Sequence, residues 1–507
     1  MAIRFHNTLS GKVEEFIPLE AGKVRLYTCG PTVYDFAHIG NYRTFVFQDI
    51  LRRHLRARGY QVVHVMNLTD VDDKTIRNSQ AAGVSLREYT DRYIKAFEID
   101  RELLNLETPE VVARATDHIP EMAKLIQTLE EKGFAYRSEG SVYFHVSLFP
   151  NYGKLSKIDL EGMRAGARVD SDEYDKANVR DFVLWKAAKE GEPAWETPLG
   201  AGRPGWHIEC SVMSMKYLGE TFDIHSGGSD LAFPHHENEI AQSEAATGKP
   251  FVRYWLHAEH LIVNGEKMSK SLGNFFTLRD LVGKGYKPSA IRYLLASVPY
   301  RKPLNFTFDG LHQAQQSIER LRNFRYRLTM EKFPGGESPA LQARAQAAIQ
   351  SFEDALDDNL NTAEALAAIF DLVRDTNTAM DRGEFHDGDR LAMLDVLERC
   401  DRIFAVLEDT DHAKLMELEL IKPLEVAASD SMSGGWKDAA AADVGKDQAT
   451  SPLTGALNEE EIDRRLAERN AARARRDFAA SDKIRDELLN AGVILEDTKA
   501  GTRWKRK

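Results

Sequence analysis

The sequence predicts an α/β fold followed by a helical region, and three observations carry that expectation. Val24-Arg-Leu-Tyr-Thr28 is short, apolar and β-prone, Phe45, Val46, Ile50, Leu51 and Leu55 recur near helical spacing, and Val62-Val-His-Val-Met66 reads as a second strand. A Gly/Pro turn joins the first strand to the helix, so the unit is a βαβ crossover with a polar turn at a strand's carboxyl end. From Gly310 the pattern turns helical. Ile318, Leu321, Phe324 and Leu328 form one stripe, and Leu366, Ile369, Phe370 and Val373 form another, opened by Asn361 or Thr362 as N-cap. A length of 507 residues implies several domains.

The turn of the first unit reads Cys29-Gly-Pro-Thr-Val-Tyr-Asp-Phe-Ala-His38-Ile-Gly40-Asn41. His38 and Asn41 fall near the helix N-terminus, where free amides and the dipole favour anionic phosphates. Far downstream, Glu266 to Asn274 reads E-K-M-S-K-S-L-G-N. Lys267, Ser269, Lys270 and Ser271 supply mobile cations and small donors, which a triphosphate needs as charge develops during displacement. Alone, the loop also fits a solvated surface and His38 fits a simple cap. Together the two segments point to a nucleotide.

The chain holds three cysteines. Cys29 ends the first strand, and Cys210 lies in Gly205-Trp-His-Ile-Glu-Cys210-Ser. Pro234 is placed to open a helix on which His235 and Glu239, four apart, share a face. Two thiolates, an imidazole and a carboxylate make a credible zinc set. No C-x-x-C finger is present, so a buried apolar Cys29 and a capping His235 stand as the alternative. Cys400 repeats with Met393, Leu397 and Phe404 at helical spacing and reads as a core thiol. Few cysteines, no signal-like segment and no long apolar run lead to the expectation of a reducing cytoplasm and no membrane.

H-I-G-N followed by K-M-S-K-S resembles the signature pair of class I aminoacyl-tRNA synthetases. The usual first motif is H-I-G-H, so Asn41 departs at the fourth position, keeping an amide donor but no charge. T-C-G-P-T-V-Y-D, G-W-H-I-E-C-S and F-P-H-H-E-N-E-I-A-Q-S-E together resemble the cysteinyl-tRNA synthetase family over nearly the whole chain. The resemblance implies a Rossmann-type class I synthetase catalytic domain with a connective insertion, then an α-helical bundle domain and a small C-terminal mixed α/β domain. Its implied bounds are 1–115 for the first catalytic half, 116–204 for the insertion, and 205–309 for the second half with the K-M-S-K-S loop. A helical tRNA-binding domain follows at 310–425 and an anticodon-binding domain at 456–507. Residues 426–455, rich in Ala, Ser, Asp and Gly around Trp436, match the family poorly and read as a flexible linker. The insertion contains Lys154, Lys157 and an acidic run from Asp170 to Asp175.

Residue by residue, the resemblance implies His38, Lys267 and Lys270 in catalysis and Gly40, Asn41, Ser269 and Ser271 beside them on ATP. It implies one zinc ion per subunit on Cys29, Cys210, His235 and Glu239, Mg²⁺ accompanying ATP, and Gly30, Thr69, Trp206 and His225 around the amino acid. L-Cysteine, ATP and tRNA(Cys) are the expected partners of a monomeric cytoplasmic enzyme. Zinc suits such a pocket because a thiolate bonds it well, whereas a serine hydroxyl ionises too reluctantly to compete. A pocket relying on shape alone discriminates weakly between side chains one atom apart.

Charge divides unevenly along the chain. Residues 464–507 carry 13 Lys/Arg against 7 Asp/Glu, a net of +6, which leaves −18 on residues 1–463 of the overall −12. A basic end on an acidic body suits contact with RNA phosphates, and Arg473, Phe478, Asp482, Arg485 and Trp504 are the expected anticodon contacts. An ordinary charged helix with a basic end is the alternative. Two other functions compete: a ligase of thiol biosynthesis that passes the same cysteinyl adenylate to an amino sugar, and a non-catalytic zinc- and nucleotide-binding paralogue. The basic tail argues against the first, and intact His38, Lys270 and zinc set argue against the second.

Overall fold

The computed structural model describes residues 2–157, 181–418 and 420, and beyond these 459–474, 481, 484–485, 487–488, 493–498 and 501–506. The chain forms two compact units, Met1–Leu424 and Glu425–Lys507. The first opens with an antiparallel hairpin, β1 (Arg4–Asn7) and β2 (Lys12–Glu15). The βαβ unit follows as β3 (Lys23–Thr28), α1 (Ile39–Ala57) and β4 (Gln61–Leu68), then α2 (Asp73–Ala82), α3 (Leu86–Leu103) and β5 (Val111–Arg114). Phe45, Val46, Ile50, Leu51 and Leu55 of α1 are all buried.

Next come α4 (Ile119–Glu131) and four short strands, β6 (Ala135–Ser138), β7 (Ser141–Phe144), β8 (Phe182–Ala187) and β9 (Gly202–Pro204), paired antiparallel in that order. Little pattern is visible here because strands of three to six residues are too short to show an alternation. The Asp170–Asp175 run lies outside the described residues, as does the expected linker with Trp436.

The chain then returns to the parallel sheet through α5 (Trp206–Leu218), β10 (Phe222–Gly228), α6 (His235–Thr247) and β11 (Val252–Ala258). The sheet order is β11-β10-β3-β4-β5, every pair parallel. Strand order reverses between β3 and β10, so a crevice opens at their carboxyl ends. The turn after β3 approaches β4 so closely that a Cβ on Gly30 would stand 1.9 Å from the Asn67 carbonyl oxygen, which requires glycine there.

A second sheet holds β12 (Leu261–Val263), β13 (Glu266–Lys267) and β14 (Leu304–Phe306) in the order β13-β12-β14, with α7 (Leu278–Gly283) and α8 (Pro288–Ser297) between. The helical region comprises α9 (Phe308–Met330), α10 (Pro339–Asp357), α11 (Thr362–Arg382), α12 (Arg390–Phe404) and α13 (Asp411–Glu417). Asn361 caps α11 by accepting the Glu364 N–H. Ile318, Leu321, Phe324 and Leu328 are buried as a stripe, and so are Met393, Leu397, Cys400 and Phe404. Leu366, Ile369 and Val373 are buried, and Phe370 packs half-buried against the same core at the edge of that stripe, with the Arg320 guanidinium 5.1 Å from its ring centre. In the second unit, α14 (Glu459–Ala474) precedes an antiparallel pair, β15 (Val493–Thr498) and β16 (Gly501–Arg506). Among the described residues, no helix is long and apolar enough to cross a membrane.

One buried ion pair ties the sheet domain to the helices. Arg292 of α8, fully buried, donates to Asp49 of α1 at 2.6 Å and to the carbonyl of Leu104, and also reaches the carbonyls that end α12. Burial opposes the Asp49 charge, yet Arg292 and Arg53 hold its carboxyl below the usual range. Arg292→Ala should therefore cost about 3–5 kcal/mol in urea unfolding, the scale of an abandoned buried charge. A cost under about 1 kcal/mol would show that Arg53 alone suffices.

Candidate active site and metal centre

Three elements bring the cysteine and histidine motifs together. Cys29 follows the last residue of β3, Cys210 lies in the middle of α5, and His235 begins α6 with Glu239 one turn later. The ligand atoms of Cys29, Cys210, His235 and Glu239 all lie within 4.8 Å of one another, and all four residues are buried. Pro234 occupies the N-cap of α6.

The donor set fits a divalent cation. Glu239 Oε1 is buried without a hydrogen bond although His235 Nε2 stands 3.1 Å away. That spacing resembles the edge of a tetrahedron with metal bonds of about 2.1 Å, roughly 3.4 Å. Burial, reinforced by Cys210, pushes the Cys29 thiol well up, burial raises the Glu239 carboxyl, and burial with His207 and His225 drives His235 well down. Cys29, His235 and Glu239 are thus held neutral by the protein alone, and a cation among them favours the thiolate and carboxylate forms.

Surrounding groups fix these ligands. His235 Nδ1 meets His207 Nδ1 at 2.9 Å, and the Trp206 indole stacks on the His235 ring at 4.2 Å. His225 of β10 reaches Glu239 Oε2 at 2.9 Å and stacks on Trp255. His236 joins Cys29 Sγ at 3.3 Å to His257 at 2.7 Å, and His257 meets the Thr8 hydroxyl. Cys29, His225, His236 and Glu239 form a second cluster within the same span. Gly30 donates its N–H to Asn67, and the Thr69 hydroxyl donates to Glu209. His207, His236 and His257 escaped the sequence reading; the only trace of the first two was a histidine beside each motif residue.

Past the turn that follows Cys29, His38 is the N-cap of α1. Its Nδ1 accepts the Asn41 N–H while the Asn41 side-chain oxygen accepts the His38 N–H, a reciprocal capping box. The Asn41 side-chain carbonyl is therefore committed to the cap, while its amide donor, the group expected to meet phosphate or ribose, takes no part in the capping box. Burial lowers the His38 pKa to about 4, so the ring stays neutral and Nε2 carries the proton. Gly40 leaves room for this arrangement, since a Cβ there would meet the His38 ring at 2.9 Å and Met268 at 3.1 Å.

The Lys267–Asn274 loop lies beside this helix start. Ile39 donates its N–H to the Phe276 carbonyl, and the Phe275 ring meets His38 edge-on at 5.1 Å. Within the loop, Ser269 donates its N–H to Asn274, the Ser269 and Ser271 hydroxyls stand 3.2 Å apart, and Asn274 returns to the Lys267 carbonyl. Lys270 donates to Asp35 Oδ2 at 2.7 Å, which raises its pKa. In the second unit, Arg473 lies on α14, Arg485 is exposed, and Trp504 lies in β16 opposite Leu495. Phe478 and Asp482 lie outside the described residues.

A parallel sheet whose switch point carries a helix-start histidine and a lysine-rich loop defines a class I synthetase. The family profile described as tRNA synthetases class I (C) catalytic domain matches residues 15–316, and a DALR domain profile matches residues 351–407. The solved Mycobacterium tuberculosis methionyl-tRNA synthetase in complex with methionyl-adenylate shares the fold, with a TM-score of 0.58 at 16% identity over 78% of this chain and 93% of that one. Cysteine–tRNA ligases of Solibacter usitatus and Koribacter versatilis are 57% and 55% identical over all of this chain and all of theirs. The chain belongs to the cysteine–tRNA ligase family.

Cys210→Ser replaces a soft ligand by one that binds zinc poorly at neutral pH. It should lower the metal content of purified protein well below one ion per chain while leaving the circular dichroism spectrum unchanged. Full metal content in that variant, read by elemental analysis, would remove Cys210 from the ligand set.

Proposed function

We propose that this chain activates L-cysteine with ATP to cysteinyl adenylate, releasing diphosphate, and passes the cysteinyl group to tRNA(Cys), releasing AMP. The supporting observation is that one βα turn carries both features: a buried Cys₂HisGlu cluster gathers at the end of β3, and an exposed lysine loop packs on the turn and helix start that follow it. Cys29, Cys210, His235 and Glu239 would hold zinc, which when bound supplies a soft Lewis acid for the substrate thiolate. Trp206 and His225 fix the orientation of His235 and Glu239, and so act on the amino acid through those ligands.

The cysteine carboxylate is already ionised and attacks the α-phosphate without a general base. Its oxygen bonds to phosphorus as the bridging oxygen leaves with diphosphate, so the protein's task is positioning and charge. Neutral His38 donates from Nε2 at the start of α1, where the helix dipole also favours phosphate. Lys267 and Lys270 meet the charge that builds on the departing diphosphate, Ser269 and Ser271 add small donors, and Mg²⁺ accompanies the nucleotide. A terminal ribose hydroxyl of the tRNA then attacks the adenylate carbonyl and AMP departs.

The acidic body and basic tail favour RNA contact at the C-terminal end, with Arg473, Phe478, Asp482, Arg485 and Trp504 as its proposed participants. That asymmetry also favours tRNA over the amino sugar of the related thiol-forming ligases as acceptor.

Cysteine-dependent exchange of diphosphate into ATP tests the first step. Lys270→Ala should slow it ~100-fold or more, the scale of losing one transition-state donor. An unchanged rate would reduce the loop to a cover. Deleting residues 456–507 should leave exchange intact, weaken the apparent affinity for tRNA in charging, and flatten the salt dependence of RNA binding. Equal charging with and without these residues would move RNA recognition to the helical region.

A further inference from the structure

We infer that Asp35 is a positioning residue that holds Lys270 over the phosphate end of the crevice until a triphosphate displaces it. The inference rests on the role proposed for Lys270. Asp35 belongs to the turn between β3 and α1, and that turn is firmly held. Val33 donates its N–H to the Thr69 carbonyl, and the Tyr34 carbonyl accepts from both the Tyr89 hydroxyl and the Asn78 amide. Phe36 is fixed between the Tyr93 ring at 5.3 Å and the Arg279 guanidinium at 5.0 Å. The Asp35 carboxylate is oriented as well, because Oδ1 accepts the Phe36 N–H at 2.8 Å and leaves Oδ2 facing Lys270.

The partner loop is of the opposite character. It is anchored at its far end, where Phe276 meets α1, while Lys270 is 65% exposed and Leu272 59% exposed. From that loop the Lys270 ammonium crosses to Asp35 at 2.7 Å and lies 5.1 Å from the Phe275 ring centre, the same ring that touches His38. The cation is thereby stored one ring away from the proposed phosphate site. An exposed ion pair of this kind is weak, so a polyanion of higher charge exchanges with the carboxylate readily. A buried or multiply bonded carboxylate would instead have sequestered the lysine. After exchange, the freed Asp35 charge faces the same phosphates and favours departure of diphosphate over its retention.

The consequence is a split between ground-state binding and turnover. Asp35→Asn keeps the Phe36 N–H bond through its carbonyl and removes only the competing charge. In cysteine-dependent diphosphate exchange it should lower the KM for ATP by about two- to fivefold, the range open to an exposed pair, with kcat unchanged or lower. Without nucleotide, trypsin should cut the full-length variant after Lys267 or Lys270 faster than the wild type, because the loop has lost its tie. Unchanged KM and unchanged cleavage would mean that the pair is an incidental surface contact. A raised Mg²⁺ requirement with unchanged cleavage would make Asp35 a metal-facing group and equally overturn the inference. Lys270→Ala measured alongside separates the two failures: if it slows exchange while Asp35→Asn does nothing, only the tie is lost, and if it too does nothing, the role of Lys270 falls with it.

Discussion

Parallel pairing of β3 with β10 is the contact on which the site depends. Leu26 lies beside Ile224 and Tyr27 beside His225, and the Cys29 N–H closes the ladder on the Ser226 carbonyl. That register sets the end of β3 against the strand leading into α6, and so places Cys29 against Glu239 and His236. Between the paired strands the chain makes a whole antiparallel sheet. Closure entropy grows only with the logarithm of loop length, about 0.6 kcal/mol per doubling, so a folded insertion there is tolerated. Its kinetic cost is larger, since the site forms only after this distant pairing.

The metal cluster and the lysine loop obey opposite rules. At the cluster every ligand is buried and held by neighbours. Glu237 of α6, itself fully buried, accepts the backbone N–H groups of Gly153, Leu155 and Ser156, which locks the helix that carries His235 and Glu239. Selecting one side-chain atom requires such rigidity, because ligand positions must hold within a fraction of an ångström. At the loop the key ion pair is exposed and closed by single bonds. In the proposed reaction charge moves there, and groups that follow it must be able to exchange partners.

Much of this was legible in residues whose chemistry and position coincide. Cys29, Cys210, His235 and Glu239 could be grouped because each belongs to a distinctive local segment, and the strand–turn–helix around His38 follows from apolar spacing and a Gly/Pro turn. The histidine pairs His207–His235 and His236–His257 were not legible, since their contacts arise between elements, not within one. The β6–β9 sheet was hidden by strand brevity, and the edge position of Phe370 by the fact that periodicity marks a face but not where the face ends. The Asp35–Lys270 pair joins two loops that no local pattern relates.

Asn41 shows how a departure from an expected motif can carry a physical meaning. Its side chain closes the cap on His38, and its N–H occupies His38 Nδ1, so residue 41 fixes which nitrogen of residue 38 bears the proton. Burial then keeps that ring uncharged, with a pKa of about 4. An imidazolium would attract a polyphosphate in the ground state as strongly as in the transition state, and such uniform binding does not raise turnover. A neutral, directional donor fixed on a helix start discriminates by geometry instead. In the proposed reaction the charge that grows with the leaving group falls to Lys270, which stands on an exposed loop and is tied by a single exposed ion pair.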